Sequence, residues 1–132
     1  MLPSLPLIAA LLVAADRAPP PRPPLARCQI ERIDRWIEAN LDEGIQIEQL
    51  AELVNLSRSH FSRSFQRTLG ETPLAYVHRR RVGRAQQLML TTRRSLAQIA
   101  IDCGLSDQCH LTRVFRRVTG TTPAHWRRTH GG

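Results

Sequence analysis

Hydrophobic residues from position 30 onward recur at spacings of three and four, the period of an α-helix with one buried face. Ile30, Ile33, Trp36, Ile37 and Leu41 form the first such stripe, and we expect its helix to end at Gly44. Nowhere does this part of the sequence show the sustained alternation that is typical of a half-buried strand. The pattern therefore predicts an all-α fold.

A tight turn separates the second predicted helix from the third. Asn55 can adopt the left-handed conformation that closes a helix, Ser57 is placed to cap the next one, and Gly70 is placed to end it. The expected inner-face residues are Ile47, Leu50, Ala51, Leu53 and Val54 in the second helix, and Phe61, Phe65 and Leu69 in the third. Helix, tight turn and helix together predict a helix-turn-helix unit.

The same unit occurs twice in the chain. Ala51, Leu56 and Ser57 lie 49 positions before Ala100, Leu105 and Ser106. The second copy has one residue added near Gln108, and after it corresponding residues lie 50 positions apart. These pairs are Arg63 and Arg113, Phe65 and Phe115, Gly70 and Gly120, and Pro73 and Pro123. In the second copy we expect Gly104 in the turn, Ser106 as the cap, and Leu111, Phe115 and Val118 on the inner face. The repeat predicts two similar subdomains.

A long helix is expected to join the two copies. Thr72 and Pro73 form an N-cap and a first helical residue, and the helical pattern continues to about Leu90. At about 1.5 Å per residue, the 19 positions from Thr72 to Leu90 span roughly 28 Å. Successive major-groove segments on one face of B-DNA lie roughly 34 Å apart. Two such units in tandem on one chain therefore predict an asymmetric DNA site of about 20 base pairs.

The predicted organisation is a seven-helix, homeodomain-like domain at residues 30–132, preceded at residues 1–29 by a short apolar helix and a proline-rich linker. Within the domain, the first helix-turn-helix unit covers about residues 46–70, the linker helix about 72–90, and the second unit about 95–120. The apolar run LPLIAALLVAA, residues 5–15, is too short to span a bilayer, so we expect no membrane partner.

The second helix of each unit, called here the reader helix, carries polar and basic residues on its outer face. They are Arg58, Ser59, Ser62, Arg63, Gln66 and Arg67 in the first copy, and Gln108, Cys109, Thr112, Arg113, Arg116 and Arg117 in the second. Donors and acceptors without bulky apolar groups suit a helix that enters the major groove of DNA. A solvated surface explains one such helix, but it does not explain two that follow the same turn and cap pattern.

The charge balance also favours a polyanionic partner. The net charge is +8, and all 19 basic residues are arginine. Residues 30–77 hold five arginines and eight carboxylates, whereas residues 78–132 hold eleven arginines and two carboxylates. If the partner is double-stranded DNA, the C-terminal half supplies most of the phosphate contacts.

Catalysis and metal binding find no support in the sequence. The cysteines Cys28, Cys103 and Cys109 show no CxxC spacing, the five histidines share no ligand spacing, and no glycine-rich phosphate loop occurs. We therefore expect no enzyme activity, no cofactor, no metal and no small-molecule effector site. Reduced thiols fit a cytoplasmic protein, associated with the nucleoid when bound to DNA, and Cys103 is expected to be a small buried hydrophobic residue.

The residues described above resemble those of the bacterial AraC/XylS transcriptional regulators. The resemblance covers about residues 30–128, and IAIDCGLSDQCHLTRVFRRVTGTTPAHWR, residues 99–127, is its most specific part. It implies a seven-helix domain whose two helix-turn-helix units enter adjacent major grooves, and RNA polymerase as a second partner. Leu105 departs from the family, which usually has an aromatic residue at this position.

The same resemblance assigns roles to the reader helices. It implies base-reading by Ser59, Ser62 and Arg63 in the first unit and by Gln108, Cys109, Thr112 and Arg113 in the second, with His60 contacting base or phosphate. Arginine pairing with guanine is the expected main source of discrimination.

Two other functions remain open at this point. One is a protein-interaction module that acts on polymerase or another regulator through the acidic surface of the first two helices, at Glu31, Glu38, Glu48 or Glu52. The other is a non-specific nucleic-acid binder, which has no need of duplicated reader helices. Activation and repression are equally open, as is the question whether the chain is a complete regulator or a fragment.

Overall fold

The computed structural model describes residues 25–131, and within them the chain forms seven α-helices and no strand. The helices are α1 Arg27–Ala39, α2 Ile47–Leu53, α3 Arg58–Leu69, α4 Pro73–Thr91, α5 Leu96–Asp102, α6 Gln108–Thr119 and α7 Pro123–His130. The all-α prediction with seven helices is confirmed for this range. The apolar segment and the proline-rich linker predicted upstream lie mostly outside the described residues.

The described chain divides into two compact units. The first unit comprises residues 25–33 and 47–73, and the second comprises residues 34–46 and 74–131. Helices α2 and α3 therefore form the helix-turn-helix of the first unit, and α5 and α6 form that of the second. Each unit holds one of the two reader helices, α3 and α6.

In the first unit, the side chains of α2 and α3 bury a small apolar core. Leu50 and Ala51 of α2 are buried, as are Phe61 and Phe65 of α3, whose ring centroids lie 5.5 Å apart. The turn between the helices depends on Asn55, which has a φ of 57°. Because an asparagine tolerates this left-handed conformation better than most residues, the chain can reverse here without a glycine.

Capping interactions fix both ends of α3. The Ser57 side chain accepts a hydrogen bond from the His60 backbone N–H at 3.2 Å, as predicted. Gly70, with a φ of 80°, ends the helix and donates its N–H to the Gln66 carbonyl. The start of the unit is held by the Leu25 N–H, which donates to Thr68 Oγ1 at 3.1 Å.

The second unit has a larger core, formed by one face of α4 together with α5 and α6. Its buried members are Val82, Ala85, Met89, Ile99, Ala100, Cys103, Leu105, Leu111, Val114 and Phe115. Trp126 of α7 packs against this core, with its ring 6.1 Å from that of Phe115 in an edge-to-face arrangement. Thr122 caps α7 through the His125 N–H, and Pro123 follows at the first helical turn.

Several sequence predictions need correction. The cap of α6 is Asp107, which accepts from the His110 N–H at 2.8 Å, and not Ser106. Asp107 lies 50 positions after Ser57, so the added residue of the second copy precedes the cap. Val118 is 37% exposed, because it lies in the last turn of α6, and Val114 takes its expected place in the core.

A further correction concerns the end of α1. The helix begins at Arg27, and it ends at Ala39 instead of continuing to Gly44. Leu41 is buried as expected, but it lies in the turn that follows the helix. Ends of helices are where hydrophobic periodicity is least informative, since the period extends into buried turns.

The turn at Gly104 is closely packed. A Cβ atom at this position would lie 2.2 Å from the Leu41 carbonyl oxygen and 3.1 Å from Nη2 of Arg81. Arg81 is almost fully buried and donates from Nη2 to the Glu43 carbonyl oxygen at 2.6 Å. Burial lowers the pKa of its guanidinium group. Arg81 therefore fastens the turn after α1 beside the helix-turn-helix of the second unit.

A neighbouring arginine also has a structural role. Arg80 of α4 forms ion pairs with Asp34 and Glu38 of α1, and Nη1 of Arg80 contacts the Tyr76 hydroxyl at 3.1 Å. The Tyr76 hydroxyl also donates to Asp34. These interactions join α1 to α4 within the second unit, and the two carboxylates neutralise the charge of Arg80.

No helix within residues 25–131 is both long enough and apolar enough to cross a membrane.

Gly104→Ala should destabilise the protein more than Gly120→Ala. Both glycines have a left-handed φ, 81° and 85°, but an added Cβ at Gly120 meets nothing within 4 Å. Gly120→Ala should therefore cost only the conformational strain, roughly 1 to 2 kcal/mol. Gly104→Ala adds the collision with the Leu41 carbonyl. Urea denaturation of the full-length variants, followed by circular dichroism, measures the difference, and equal midpoints would contradict the close packing of this turn.

Candidate nucleic-acid interface

The outer face of α3 is accessible along its length. Arg58, Ser59, Arg63 and Gln66 are exposed, while His60, Ser62 and Arg67 are half-buried. This arrangement follows from the burial of Phe61 and Phe65, since the residues on the opposite side of a 3.6-residue period must face outward. All the residues predicted to read DNA from the first unit therefore lie on α3, and the most deeply buried side chains of this helix are not among them.

Arg58 is held by a carboxylate. Its Nη1 atom lies 2.6 Å from Oε2 of Glu48, which belongs to the first turn of α2. A backbone hydrogen bond at Glu48 and then the hydrogen bond from Arg58 lower the pKa of the Glu48 carboxyl group. Glu48 is therefore ionised at neutral pH. Sequence reasoning placed Glu48 only on an acidic surface, because a contact ten residues apart across a turn has no periodic signal.

The outer face of α6 carries three exposed arginines, Arg113, Arg116 and Arg117. Gln108, Cys109, Arg113, Arg116 and Arg117 are exposed. Thr112 is half-buried, and its Oγ1 atom donates to the Gln108 carbonyl oxygen at 3.0 Å. Among the residues that the structure describes, none forms an ion pair with Arg113, Arg116 or Arg117. These guanidinium groups are available to bind phosphate or the base edges of DNA.

Two histidines that the sequence analysis did not single out lie next to this face. The ring of His78, from α4, lies 6.4 Å from that of His110 in an edge-to-face arrangement. Nδ1 of His110 accepts from the Ser106 N–H at 3.3 Å. Burial, followed by the charges of Arg117 and Arg81 and then by His110, lowers the pKa of His78.

The two units differ in charge. Within residues 25–131 the first unit holds five arginines against four carboxylates, a balance of +1, and the second holds twelve against six, a balance of +6. The structural division does not follow the two halves of the sequence, because residues 34–46, with four carboxylates and one arginine, belong to the second unit. The excess of positive charge nevertheless lies on the second unit. Electrostatic attraction to a polyanion is concentrated on the second unit.

The acidic surface considered as a protein-binding site is largely engaged within the chain. Glu31 pairs with Arg27 at 3.3 Å, Glu38 pairs with Arg80, and Glu48 pairs with Arg58. These contacts reduce the free negative charge that a partner would meet.

The described residues include no group of three or more histidine, cysteine or carboxylate side chains placed to hold a metal ion. Cys103 is buried, and burial raises the pKa of its thiol to about 11, in keeping with its expected role as a small apolar residue. Cys28 and Cys109 are exposed.

Two helix-turn-helix units, each presenting a polar and basic reader helix, define a double helix-turn-helix domain. A family model described as a helix-turn-helix domain matches residues 50–129 of the chain. The chain belongs to the AraC/XylS family of helix-turn-helix proteins, as the resemblance implied.

Similar proteins support this assignment. The probable transcriptional regulator LumQ of Photobacterium leiognathi is 34% identical over 100 residues, which cover 76% of this chain and 40% of LumQ. The structure of an AraC-type regulator from Chromobacterium violaceum matches 80% of this chain and 96% of its own, with 30% identity and a TM-score of 0.71. The DNA-binding domain of AdpA, solved in complex with a target DNA, matches 77% of this chain and 91% of its own, with 32% identity and a TM-score of 0.70.

The chain spans less than half the length of the full-length relatives LumQ, ArgR and AdaA. The shares are 40% of LumQ, 26% of the regulator ArgR of Pseudomonas aeruginosa and 46% of AdaA of Bacillus subtilis. The similarity therefore covers less than half the length of each of these proteins.

The lowered pKa of His78 predicts that stability falls in mild acid. In the unfolded chain His78 takes up a proton near its ordinary pKa of 6.5, whereas the folded state resists protonation until a lower pH. The contribution of neutral His78 to the free energy of unfolding is therefore complete above about pH 6.5. It is lost as the pH falls towards the pKa of His78 in the folded state.

His78→Gln should flatten this dependence. The measurement is the free energy of unfolding in urea between pH 7.5 and 5.5 for the wild type, His78→Gln and, as a control at an exposed histidine, His125→Gln. Parallel curves for the wild type and His78→Gln would contradict the prediction.

Proposed function

We propose that the chain is a sequence-specific DNA-binding transcriptional regulator that reads two adjacent major-groove segments of an asymmetric site. The observation that carries the proposal is the duplicated reader helix. Each copy follows a turn closed by a left-handed residue, Asn55 or Gly104, begins at a side-chain cap, and ends at a left-handed glycine. The DNA complex of the related AdpA domain adds support.

The exposed groups suit base recognition. Arg63 and Arg113 can each offer two parallel N–H donors to guanine, and Ser59, Ser62, Thr112 and Gln108 offer shorter donors and acceptors. Cys109 is a small, weakly polar group that fits against a thymine methyl. Because both arginines lie at corresponding positions, 50 residues apart, each is expected to discriminate within its own half of the site.

The charge distribution suggests different roles for the two units in DNA binding. Arg116 and Arg117 are exposed and unpaired within the described chain, so they are suited to phosphate contacts that are independent of sequence. The second unit thus provides most of the salt-dependent affinity, and the nearly neutral first unit provides mainly discrimination. We place this activity in the cytoplasm, with RNA polymerase as a further partner in transcription.

The alternatives fit the structure less well. An interaction module that acts through the acidic surface would have to break the ion pairs of Glu31, Glu38 and Glu48. A non-specific binder needs basic residues but no matched pair of capped reader helices. Binding, and not catalysis, is therefore the activity proposed.

Arg63→Ala and Arg113→Ala should each relax specificity in a different block of the site. Loss of a bidentate contact to guanine costs about 1 to 3 kcal/mol of discrimination at that base pair. The measurement is the affinity of each variant for a set of duplexes that carry every single base-pair substitution of the best-bound site.

Arg79→Ala is the control, because it removes the same charge from α4, outside both reader helices. It should at most weaken binding to all duplexes alike. If Arg63→Ala and Arg113→Ala alter preference at the same base pairs, or at none, the assignment of one reader helix to each block is wrong.

A further inference from the structure

The two reader helices differ at their first residue. In the first unit this residue is Arg58, which is paired with Glu48 at 2.6 Å. The corresponding residues of the second unit, by the repeat separations of 50 and 49, are Gln108 and Ala97. The second unit therefore has neither the cation nor the carboxylate at these positions, and the ion pair is a specific feature of the first.

The pair is accessible to a ligand. The side chains of Arg58 and Glu48 are 62% and 51% exposed. N-terminal residues of a reader helix are those that contact base edges in helix-turn-helix complexes. Arg58 thus lies where a base-reading side chain is needed, next to Ser59 in the sequence and one helical turn from Ser62.

The geometry of the contact leaves most of the guanidinium group unused. Glu48 accepts from Nη1 only, whereas an arginine has five N–H donors. Nε and Nη2 are left to make a two-donor contact with guanine. At the same time the carboxylate neutralises the arginine, so the pair as a whole has little attraction to phosphate.

We propose that Glu48 is a positioning residue that directs Arg58 towards a guanine and prevents it from binding phosphate without regard to sequence. The inference rests on the proposed DNA-reading function and adds to it a specificity-determining residue outside the reader helices. The exposed acidic residue beside the DNA-binding face raises discrimination by lowering the affinity for the wrong sequences.

The test uses the full-length chain and the variants Glu48→Gln, Glu52→Gln and Arg58→Ala, together with the double variant Glu48→Gln/Arg58→Ala. Glu52→Gln is the matched control, because Glu52 is an exposed glutamate of the same helix, one turn further on, and its replacement changes the net charge equally. The dissociation constant of each is measured against salt concentration for the best-bound duplex, its single base-pair substitutions and a scrambled duplex. Circular dichroism melting shows that each variant is folded.

Glu48→Gln should tighten binding to the scrambled duplex several-fold and steepen the salt dependence by about one phosphate contact. It should also reduce discrimination at one base pair of the block that the first unit reads. Arg58→Ala should lose discrimination at that same base pair, by roughly tenfold, without steepening the salt dependence. At that base pair the double variant should discriminate as Arg58→Ala does, because Glu48 acts through Arg58.

Two results overturn the proposal. If Glu48→Gln and Glu52→Gln change affinity and salt dependence equally, the effect is one of net charge only. If Arg58→Ala alters no base preference, Arg58 is not a base reader. The wild-type measurement separates these outcomes from a failure of the proposed function: a wild type that binds the best-bound and scrambled duplexes equally overturns sequence-specific reading itself, and this inference with it.

Discussion

The left-handed residue in the turn between two short helices is the constraint on which the rest of each unit depends. Asn55 and Gly104 both have a positive φ, which lets the chain reverse within a few residues. The reversal places the apolar face of the reader helix against the preceding helix, where Phe61 and Phe65, or Leu111 and Phe115, are buried. Once these aromatic and aliphatic side chains are inside, the polar side of the helix has to face outward. The exposure of the polar and basic side chains of each reader helix is thus a consequence of how the core is packed.

Local signals made much of this predictable. Periodicity identified the inner faces, and the cap at Ser57 and the left-handed glycines at positions 70 and 120 follow from short-range rules. The repeat then showed that the pattern was not accidental. Residues whose roles depend on neighbours in sequence were therefore assigned correctly in most cases. The exceptions include the cap of α6, which the added residue in the second copy moved from Ser106 to Asp107, the exposed Val118, and the end of α1.

Residues that act across long sequence separations could not be assigned in this way. Arg79, Arg80 and Arg81 are adjacent and chemically identical, yet Arg80 pairs with carboxylates of α1, Arg81 is buried against a backbone carbonyl, and Arg79 is exposed. The Glu48–Arg58 contact has the same character. A carboxylate that holds an arginine and one that belongs to a free acidic surface look alike in sequence, because only the turn geometry brings the partners together. The base-reading roles themselves stay predictions, because the base that each side chain contacts depends on the DNA sequence as well as on the protein.

One chain is proposed to read two blocks of DNA sequence in tandem. The most direct measurement is selection of bound sequences from a random duplex pool by the full-length protein at physiological salt. Tandem reading predicts recovery of two short, different blocks whose centres lie about ten base pairs apart, one helical turn of DNA. Binding without enrichment of any motif would contradict it, because the arginines would then bind phosphate alone and the duplicated reader helices would have no sequence to read.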